Sequence, residues 1–482
     1  MLIALIDDGI RNSPNYKIRY DLRVAADGSI SNRIKKESVP TMHGTTCAAI
    51  INKYYPDAEF CSLQVFHDST LTTAPLQLVS ALKWCLQMSI PVIHTSLGTT
   101  LKKDYMEIRA IVAELISKNQ MVIAASSNEG ILSFPACING VFGVEANKSL
   151  GGYEFIGIHS GQHCVPISAS SVHTLFAGDG FSIETQISNS YAAPVVTAAI
   201  CNALEKRKHQ LITIKAMFSL LLKGQYAQNP YPSFANDAIV INFSEHDLLV
   251  EHLFFRVKYV ITDVDSLNHL WLTCNECIVY IPDSSESDTL SVAFNRILLQ
   301  NRDSISSLIN MGQLTLLADK TDQLLSWNMQ DYNDFLKKIP DSSEDISVPI
   351  IYIKWHGNEP IRLVCKIGDF FIREGYQCCC LSDFRFSHLY DIDYCPEGYD
   401  ANRILKYIQK YKAPDIIICA LSSIHTVENN QEDIEIVISQ EGPTYQAKNV
   451  IRINTNWDDD EVAAIYDKIV EHYHRTVSIP PL

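Results

Sequence analysis

The sequence predicts an α/β protein in three consecutive segments: a parallel sheet with helices on both faces, followed by two smaller α/β domains. Three observations carry this. Short apolar stretches alternate regularly with longer helix-like ones, the pattern of strand–helix–strand units whose parallel strands are buried on both faces. The chain has 482 residues and is 47% hydrophobic, ample for a large core at roughly 150 residues per domain. Two polar stretches, GQYAQNPYPSFAN at 224–236 and an Asp-, Ser- and Pro-rich loop at 339–349, interrupt the alternation and read as boundaries. The domains are accordingly placed at 1–226, 237–340 and 347–482.

Taken in order, LIALI is the first strand, and a long polar excursion follows it. Then come the helix HGTTCAAIINKYY, the strand EFCSLQVF, the helix PLQLVSALKWCLQ and the strand PVIHTSL. The helix KDYMEIRAIVAELISKN, the strand MVIAAS and the apolar helix that begins just after Ser190 in SNSYAAP complete the first segment. The second segment holds the strands AIVINF, VKYVITDVD, CIVYIP and LTLLAD, with SDTLSVAFNRILLQNRDSISSLI as its helix. The third holds PIIYI, the helix PIRLVCKIGDFFIREG, YQCCCL, the helix NRILKYIQKY, DIIICAL, NVIRIN and the helix DDEVAAIYDKIVEHY. Sites in such sheets lie at the carboxyl ends of strands.

Charge separates the segments. The whole chain carries −16, which argues against a nucleic acid or an anionic membrane surface as partner. Residues 1–226 hold 19 basic and 17 acidic side chains, a net of +2, and residues 227–482 hold 20 and 38, a net of −18. Most of the 14 cysteines sit singly in apolar runs, as reduced core residues of a cytosolic protein do. No secretory signal precedes the first strand and no apolar run reaches about 18 residues, so the expected location is cytoplasmic.

Chemistry concentrates in the first segment. Ser190 lies where the apolar helix of SNSYAAPVVTAAI begins, with Pro194 tolerated in the first turn. There its hydroxyl is exposed, its N–H unpaired, and the positive end of the dipole favours a developing oxyanion. His43 in MHGTTCAAII is the candidate base, and Gly44 permits close approach. An imidazole used this way needs a buried carboxylate, and Asp7 ends the first strand in IALIDDGI. Asp8 is adjacent, but successive strand residues face opposite sides, so only one of the two points at His43. Asn128 in IAASSNEG closes another strand and offers an amide as second oxyanion donor.

These motifs, in the order Asp, His, Asn, Ser, resemble the subtilisin-like serine peptidases over residues 1–222. IALIDDGI resembles the Asp motif, HGTTCAAII the His motif, HTSLGT the substrate-binding strand, AASSNEG the Asn motif and SNSYAAP the Ser motif. FPACINGVFGV is similar to the loop and strand that follow the Asn motif. The resemblance implies Asp7, His43 and Ser190 as a triad, Asn128 as oxyanion donor, and Ser96, Leu97, Gly98, Ala125, Ser126 and Ser127 as substrate-binding residues. It also implies a subtilisin-like sheet and an endopeptidase that needs neither cofactor nor metal. Ser188-Asn189 replaces the usual Gly-Thr before the nucleophile, Ser127 a glycine, and His94 an asparagine. Ser127 and Thr99 add volume near the primary specificity pocket, so a small residue is expected before the cleaved bond. The third segment resembles, weakly, the degenerate Rossmann-like domain of clostridial peptide-maturation system proteins.

Other features read as structural. Cys274-Asn275-Glu276-Cys277 is a single C-x-x-C and Cys378-Cys379-Cys380 lies on an apolar strand, so no metal site is assigned. The loop after PIIYIKW has Gly357 but no Gly-Lys-Ser/Thr, so no phosphate loop is present. Asp458 to Glu461 open a helix, where the dipole favours acid. His94, His159, His163 and His173 receive no role.

The reading is an intracellular serine endopeptidase whose two further domains are non-catalytic. Its expected substrate is a peptide or precursor peptide, and removal of the leader from a ribosomally synthesised modified peptide is favoured. A basic segment of that precursor would suit the acidic domains. A general regulatory intracellular protease and a non-catalytic peptide-binding pseudo-peptidase are the alternatives. A homo-oligomer or a partner maturation protein stays open.

Overall fold

A computed structural model describes residues 1–11, 15–34, 42–66, 75–158, 164–176, 182–207, 210–223, 229–268, 272, 275–283, 288–312, 324–355, 360–422, 433–438, 449–453 and 457–476. His159, His163, Cys274, Gly357 and the stretch LTLLAD lie outside the described residues. Packing divides the chain into two compact units, one of residues 1–100, 104–245 and 255–335, the other of 101–103, 246–254 and 336–482.

The first unit holds a nine-stranded sheet of β1 (Leu2–Asp7), β2 (Lys17–Val24), β3 (Ile30–Asn32), β4 (Glu59–Gln64), β5 (Val92–Thr95), β6 (Met121–Ala125), β7 (Phe142–Ala146), β8 (Phe155–Gly157) and β9 (Ile167–Ala169). Their order is β3-β2-β4-β1-β5-β6-β7-β9-β8, parallel except at the two edges β3 and β8. Strands β1, β5 and β6 are buried almost throughout, as parallel strands covered on both faces must be. Helices α1 (His43–Tyr54), α2 (Pro75–Gln87), α3 (Lys102–Ser117), α4 (Asn189–Lys206) and α5 (Ile214–Leu222) flank the sheet. A ribbon of β10 (Thr174–Phe176) and β11 (Ser182–Glu184) precedes α4.

Chain order reverses at β1, which pairs with β4 on one side and β5 on the other. A crevice opens at the carboxyl ends where an open sheet switches direction, and Asp7 is the last residue of that strand. The polar excursion predicted after β1 contains β2, an outlying strand whose sequence KIRYDLRV is only partly buried. Charge at every second position hid it, because a strand with one wet face carries few apolar residues.

The same unit carries a parallel five-stranded sheet of β12 (Asp237–Asn242), β13 (Arg256–Ile261), β14 (Glu276–Ile281), β15 (Ile305–Asn310) and β16 (Leu325–Asn328), ordered β13-β12-β14-β15-β16. With α6 (Val264–Asn268) and α7 (Asp288–Gln300) it encloses a core that includes Ile239, Ile278, Tyr280, Phe294 and Leu308, and α8 (Met329–Lys338) follows β16. The long helix predicted here stops at Gln300, and the stretch from Ile305 is β15. Asn301-Arg302-Asp303-Ser304 breaks the helix, since Asn, Asp and Ser compete for the backbone hydrogen bonds that would extend it.

The third sheet is also parallel: β17 (Ile350–Trp355), β18 (Cys378–Ser382), β19 (Asp393–Tyr394), β20 (Ile416–Ala420), β21 (Ile434–Ile438) and β22 (Val450–Ile453), ordered β19-β18-β20-β17-β21-β22. Its helices are α9 (Ile361–Arg373), α10 (Ala401–Lys412) and α11 (Asp459–Thr476). Strand β21, IEIVI, went unread in the sequence although it pairs with β17. The acidic run opens α11 as expected: Asp458 Oδ1 accepts from the Glu461 N–H at 2.9 Å, and a hydrogen bond from Lys366 holds the Asp459 carboxyl below its usual range. The described cysteines are free, and among the described residues no helix is long and apolar enough to cross a membrane.

Candidate functional site

Asp7 and Asp8 both reach His43, at different atoms. The Asp7 carboxylate, fully buried, faces the ring, whose Nδ1 lies 2.8 Å from Oδ1 and 2.9 Å from Oδ2. Asp8, one residue past the strand, takes the backbone and caps α1: its Oδ1 accepts from the Gly44 N–H at 2.7 Å and its Oδ2 from the His43 N–H at 3.2 Å. The expectation that only one of the two carboxylates points at His43 therefore holds for the ring alone. The cap must come from outside because Met42, the residue before the helix, is left-handed and caps nothing with its side chain. Gly44 makes the approach possible, since a Cβ there would lie 2.9 Å from the Gly9 carbonyl oxygen and 3.0 Å from Asp8 Oδ1. Asp8→Ala strands two amides of a buried helix end, and an expected loss of about 2 kcal/mol is checked by urea unfolding. A loss under about 0.5 kcal/mol would refute the capping role.

Burial alone would lower the His43 pKa, but the hydrogen bond and charge of Asp7, with the charge of Asp8, outweigh it and raise the value. His43 Nδ1–H therefore points at Asp7 and Nε2 carries the lone pair, the tautomer a general base needs.

Helix α4 starts at Asn189, two residues before the start just after Ser190 that its apolar run suggests. Ser188 is the N-cap, and its Oγ accepts from the Ser190 N–H at 3.3 Å, so the amide expected to be unpaired has a long, weak partner. With the helix beginning at Asn189, Pro194 falls in the second turn. Proline has no N–H to give the carbonyl four residues back, which is that of Ser190. The Cys47 thiol faces that carbonyl oxygen at 3.6 Å instead.

The Ser190 hydroxyl donates to the Ser96 carbonyl at 3.4 Å. Among the described residues it forms no hydrogen bond to His43, and such bonds are often long or absent in a site without substrate. The two elements are nonetheless packed together, since the His43 and Tyr191 rings lie 5.4 Å apart. Asn128 lies in the loop beyond β6 rather than on the strand, and its Oδ1 accepts from the Asn189 N–H at 3.0 Å, which leaves its amide nitrogen on the other branch.

The six candidate substrate-binding residues come from neighbouring strand ends. Ser96, Leu97 and Gly98 follow β5; Ala125 ends β6 and Ser126 and Ser127 follow it. Thr99 and Phe134 exchange backbone bonds of 2.9 and 2.8 Å, and a Cβ on Gly98 would meet the Phe134 carbonyl oxygen at 2.5 Å. The Thr99 hydroxyl is turned to Asp104 at 2.9 Å, and Ser127 Oγ accepts from the Glu129 N–H at 3.2 Å.

Two histidines given no role from the sequence brace this site. His173 Nε2–H donates to the Tyr191 carbonyl at 3.0 Å, and its Nδ1 accepts from the Tyr54 hydroxyl at 3.0 Å. His94 is fully buried, and burial with the nearby His43 charge drops its pKa to about 3, so it is neutral. Thr197 donates to the Ala193 carbonyl at 3.2 Å and so accepts from His94 Nδ1–H at 2.8 Å. His94 Nε2 then accepts from the Ser96 hydroxyl at 2.9 Å. The third residue missed is Asn189. Position beside the motifs was the only signal for His94 and Asn189 in the sequence.

Asp7, His43 and Cys47 have ligand atoms within 4.8 Å of one another, a spacing that a divalent ion could bridge. Burial pushes the Cys47 thiol well above its ordinary pKa, which keeps it protonated, and His43 Nδ1 carries the hydrogen that it donates to Asp7, so neither offers a lone pair there.

No family model matches the chain, and no curated protein matches it. Solved structures do. A crystal structure of a lanthipeptide protease is similar at 18% identity and a TM-score of 0.37, over 46% of this chain and 78% of that one. The epidermin leader peptide processing serine protease of Staphylococcus aureus is similar at 17% identity and a TM-score of 0.35, over 43% of this chain and 66% of its own length. A cold-adapted subtilisin-like serine proteinase is similar at 16% identity and a TM-score of 0.36, over 47% of this chain and 84% of that one. All three likenesses have identities of 16 to 18% and TM-scores of 0.35 to 0.37, and they carry no role over to this chain.

Proposed function

We propose that the chain is a serine endopeptidase of the subtilisin-like kind. The observation that carries this is the buried Asp7 carboxylate on His43 Nδ1 at 2.8 Å, on a helix packed against the one that begins beside Ser190. Ser190 Oγ attacks the peptide carbonyl while His43 Nε2 takes its proton. Asp7 stabilises the imidazolium, and the oxyanion takes the Asn128 amide and the Ser190 N–H, the latter by leaving Ser188. His43 returns the proton to the leaving amine, and water then repeats the sequence on the acyl-enzyme. The segments at Ser96–Gly98 and Ala125–Ser127 would hold the peptide in extended form on either side.

The base must be neutral to act. Because His43 is raised above its ordinary 6.5, peptide cleavage is expected to fall as pH drops through a value above 6.5, and to level off above it. The pH profile of kcat/KM checks this, and a limb at or below pH 6 would count against His43 as base.

The finer reading is removal of the leader from a ribosomally made, modified peptide in the cytoplasm. Leader processing is the named activity of the epidermin protease; for this chain the reading rests on the family resemblance together with a cytosolic composition, and the acidic surplus of residues 227–482 suits a basic segment of the precursor. Incubating a precursor peptide with wild-type and Ser190→Ala protein tests it. Cleavage only by the wild type at one leader site supports leader removal, whereas rapid cleavage of casein indicates a general protease. No labelling by a fluorophosphonate would mean a peptide-binding protein without a working nucleophile.

A further inference from the structure

On the proposed reading of Ser190 as nucleophile, we infer that Asn189 is a positioning residue: it holds the Asn128 amide and the Ser126–Ser127 backbone in register with the start of α4. One residue makes every link. Its Nδ2 donates to the Ser126 carbonyl at 3.1 Å, to Ser126 Oγ at 2.9 Å and to the Ser127 carbonyl at 2.9 Å. Its Oδ1 accepts from the Ala146 N–H at 2.8 Å, and its own N–H donates to Asn128 Oδ1 at 3.0 Å. The ends of β6 and β7 and the first turn of α4 thus converge on a single side chain.

The chemistry selects asparagine. An amide presents two hydrogens on one branch and an acceptor on the other, which is what two carbonyls and a serine hydroxyl on one side, and an amide N–H on the other, require. A threonine has one hydrogen, so it can serve at most one of those carbonyls, and an alanine serves none. Aspartate keeps the acceptor for Ala146 but turns a charge on two carbonyl oxygens. Asn128 is exposed and has rotamer freedom to lose. Its bond to the Asn189 N–H fixes which branch faces outward, and that bond survives only while the loop from Ser126 stays where the Asn189 side chain ties it.

The test is a double-mutant cycle on the rate at which an alkyl fluorophosphonate labels Ser190, with thermal unfolding recorded for each variant. Asn189→Ala is expected to slow labelling roughly 100-fold, Asn128→Ala by a similar factor, and the pair little more than either alone, because both disable the same donor. Asn189→Thr should recover part of the loss. Multiplied losses in the double variant, or an unchanged labelling rate in Asn189→Ala, overturn the inference. If Asn189→Ala does not fold, the cycle is run with Asn189→Thr on the same criteria. Wild-type protein without labelling that Ser190→Ala removes overturns the nucleophile reading, and this inference with it.

Discussion

Replacing Ser190 by alanine is expected to lower kcat for peptide cleavage roughly 10⁶-fold and to abolish fluorophosphonate labelling, with little change in stability. The small stability effect follows from the surroundings. Ser190 is half-buried, its hydroxyl makes one long bond to the Ser96 carbonyl, and alanine favours a helix. The N–H that would serve the oxyanion remains, so a residual rate above water is expected from the binding groups alone. Active-site titration and steady-state kinetics of both proteins decide the matter, and an Ser190→Ala protein that retains a tenth of the activity would remove the nucleophile from the mechanism.

Asp7→Asn is expected to cost about 10⁴-fold in kcat for a different reason. Both Asp7 oxygens face His43 Nδ1, at 2.8 and 2.9 Å, and Oδ1 also accepts from the Asp8 N–H at 2.8 Å. That N–H keeps the oxygen of the new amide at the Oδ1 position and sets its nitrogen at the other, where a donor faces Nδ1. The charge that stabilises the imidazolium is lost, and the tautomer with its proton on Nε2, which has no lone pair for the serine, is favoured. Asp8→Asn provides the contrast: its oxygen keeps the shorter of the two α1 bonds, to the Gly44 N–H, gives up the one to the His43 N–H and leaves the tautomer alone, so its kcat should stay within about tenfold of wild type. Equal losses in the two variants would show that both carboxylates act only on the local fold.

How much of this was legible follows from the range of each interaction. Asp7 as the carboxylate for the His43 ring was readable from its place at the end of the first strand and from the family resemblance; that Asp8 would take the His43 and Gly44 amides was not, because it depends on where α1 begins. Ser190 at a helix start was visible because Ala192 to Ile200 is an apolar run, yet the run marks where burial begins, and the backbone helix began earlier at a cap that only Ser188 reveals. The parallel sheets were legible from buried strands such as DIIICAL and PVIHTSL. Strand β2 was not, because its partial exposure leaves a polar sequence. His94, His173 and Asn189 were unreadable for a common reason: apart from Ser96, two residues from His94, their partners lie 18 to 119 residues away for the histidines and 43 to 63 for Asn189, and no local pattern records such pairings.

The neutral His94 has a consequence for any peptide lying along Ser96. With Thr197 committed to Ala193, the hydrogen bonds beneath the strand run in one direction, and the Ser96 hydrogen is spent inward on His94. On the proposed reading of Ser96 as a substrate-binding residue, its hydroxyl has no hydrogen to offer a peptide, its oxygen lies 3.4 Å from the Cys47 thiol, and its carbonyl takes the Ser190 hydroxyl. Selectivity along this stretch is then expected to come from shape rather than from a hydrogen bond donated by Ser96.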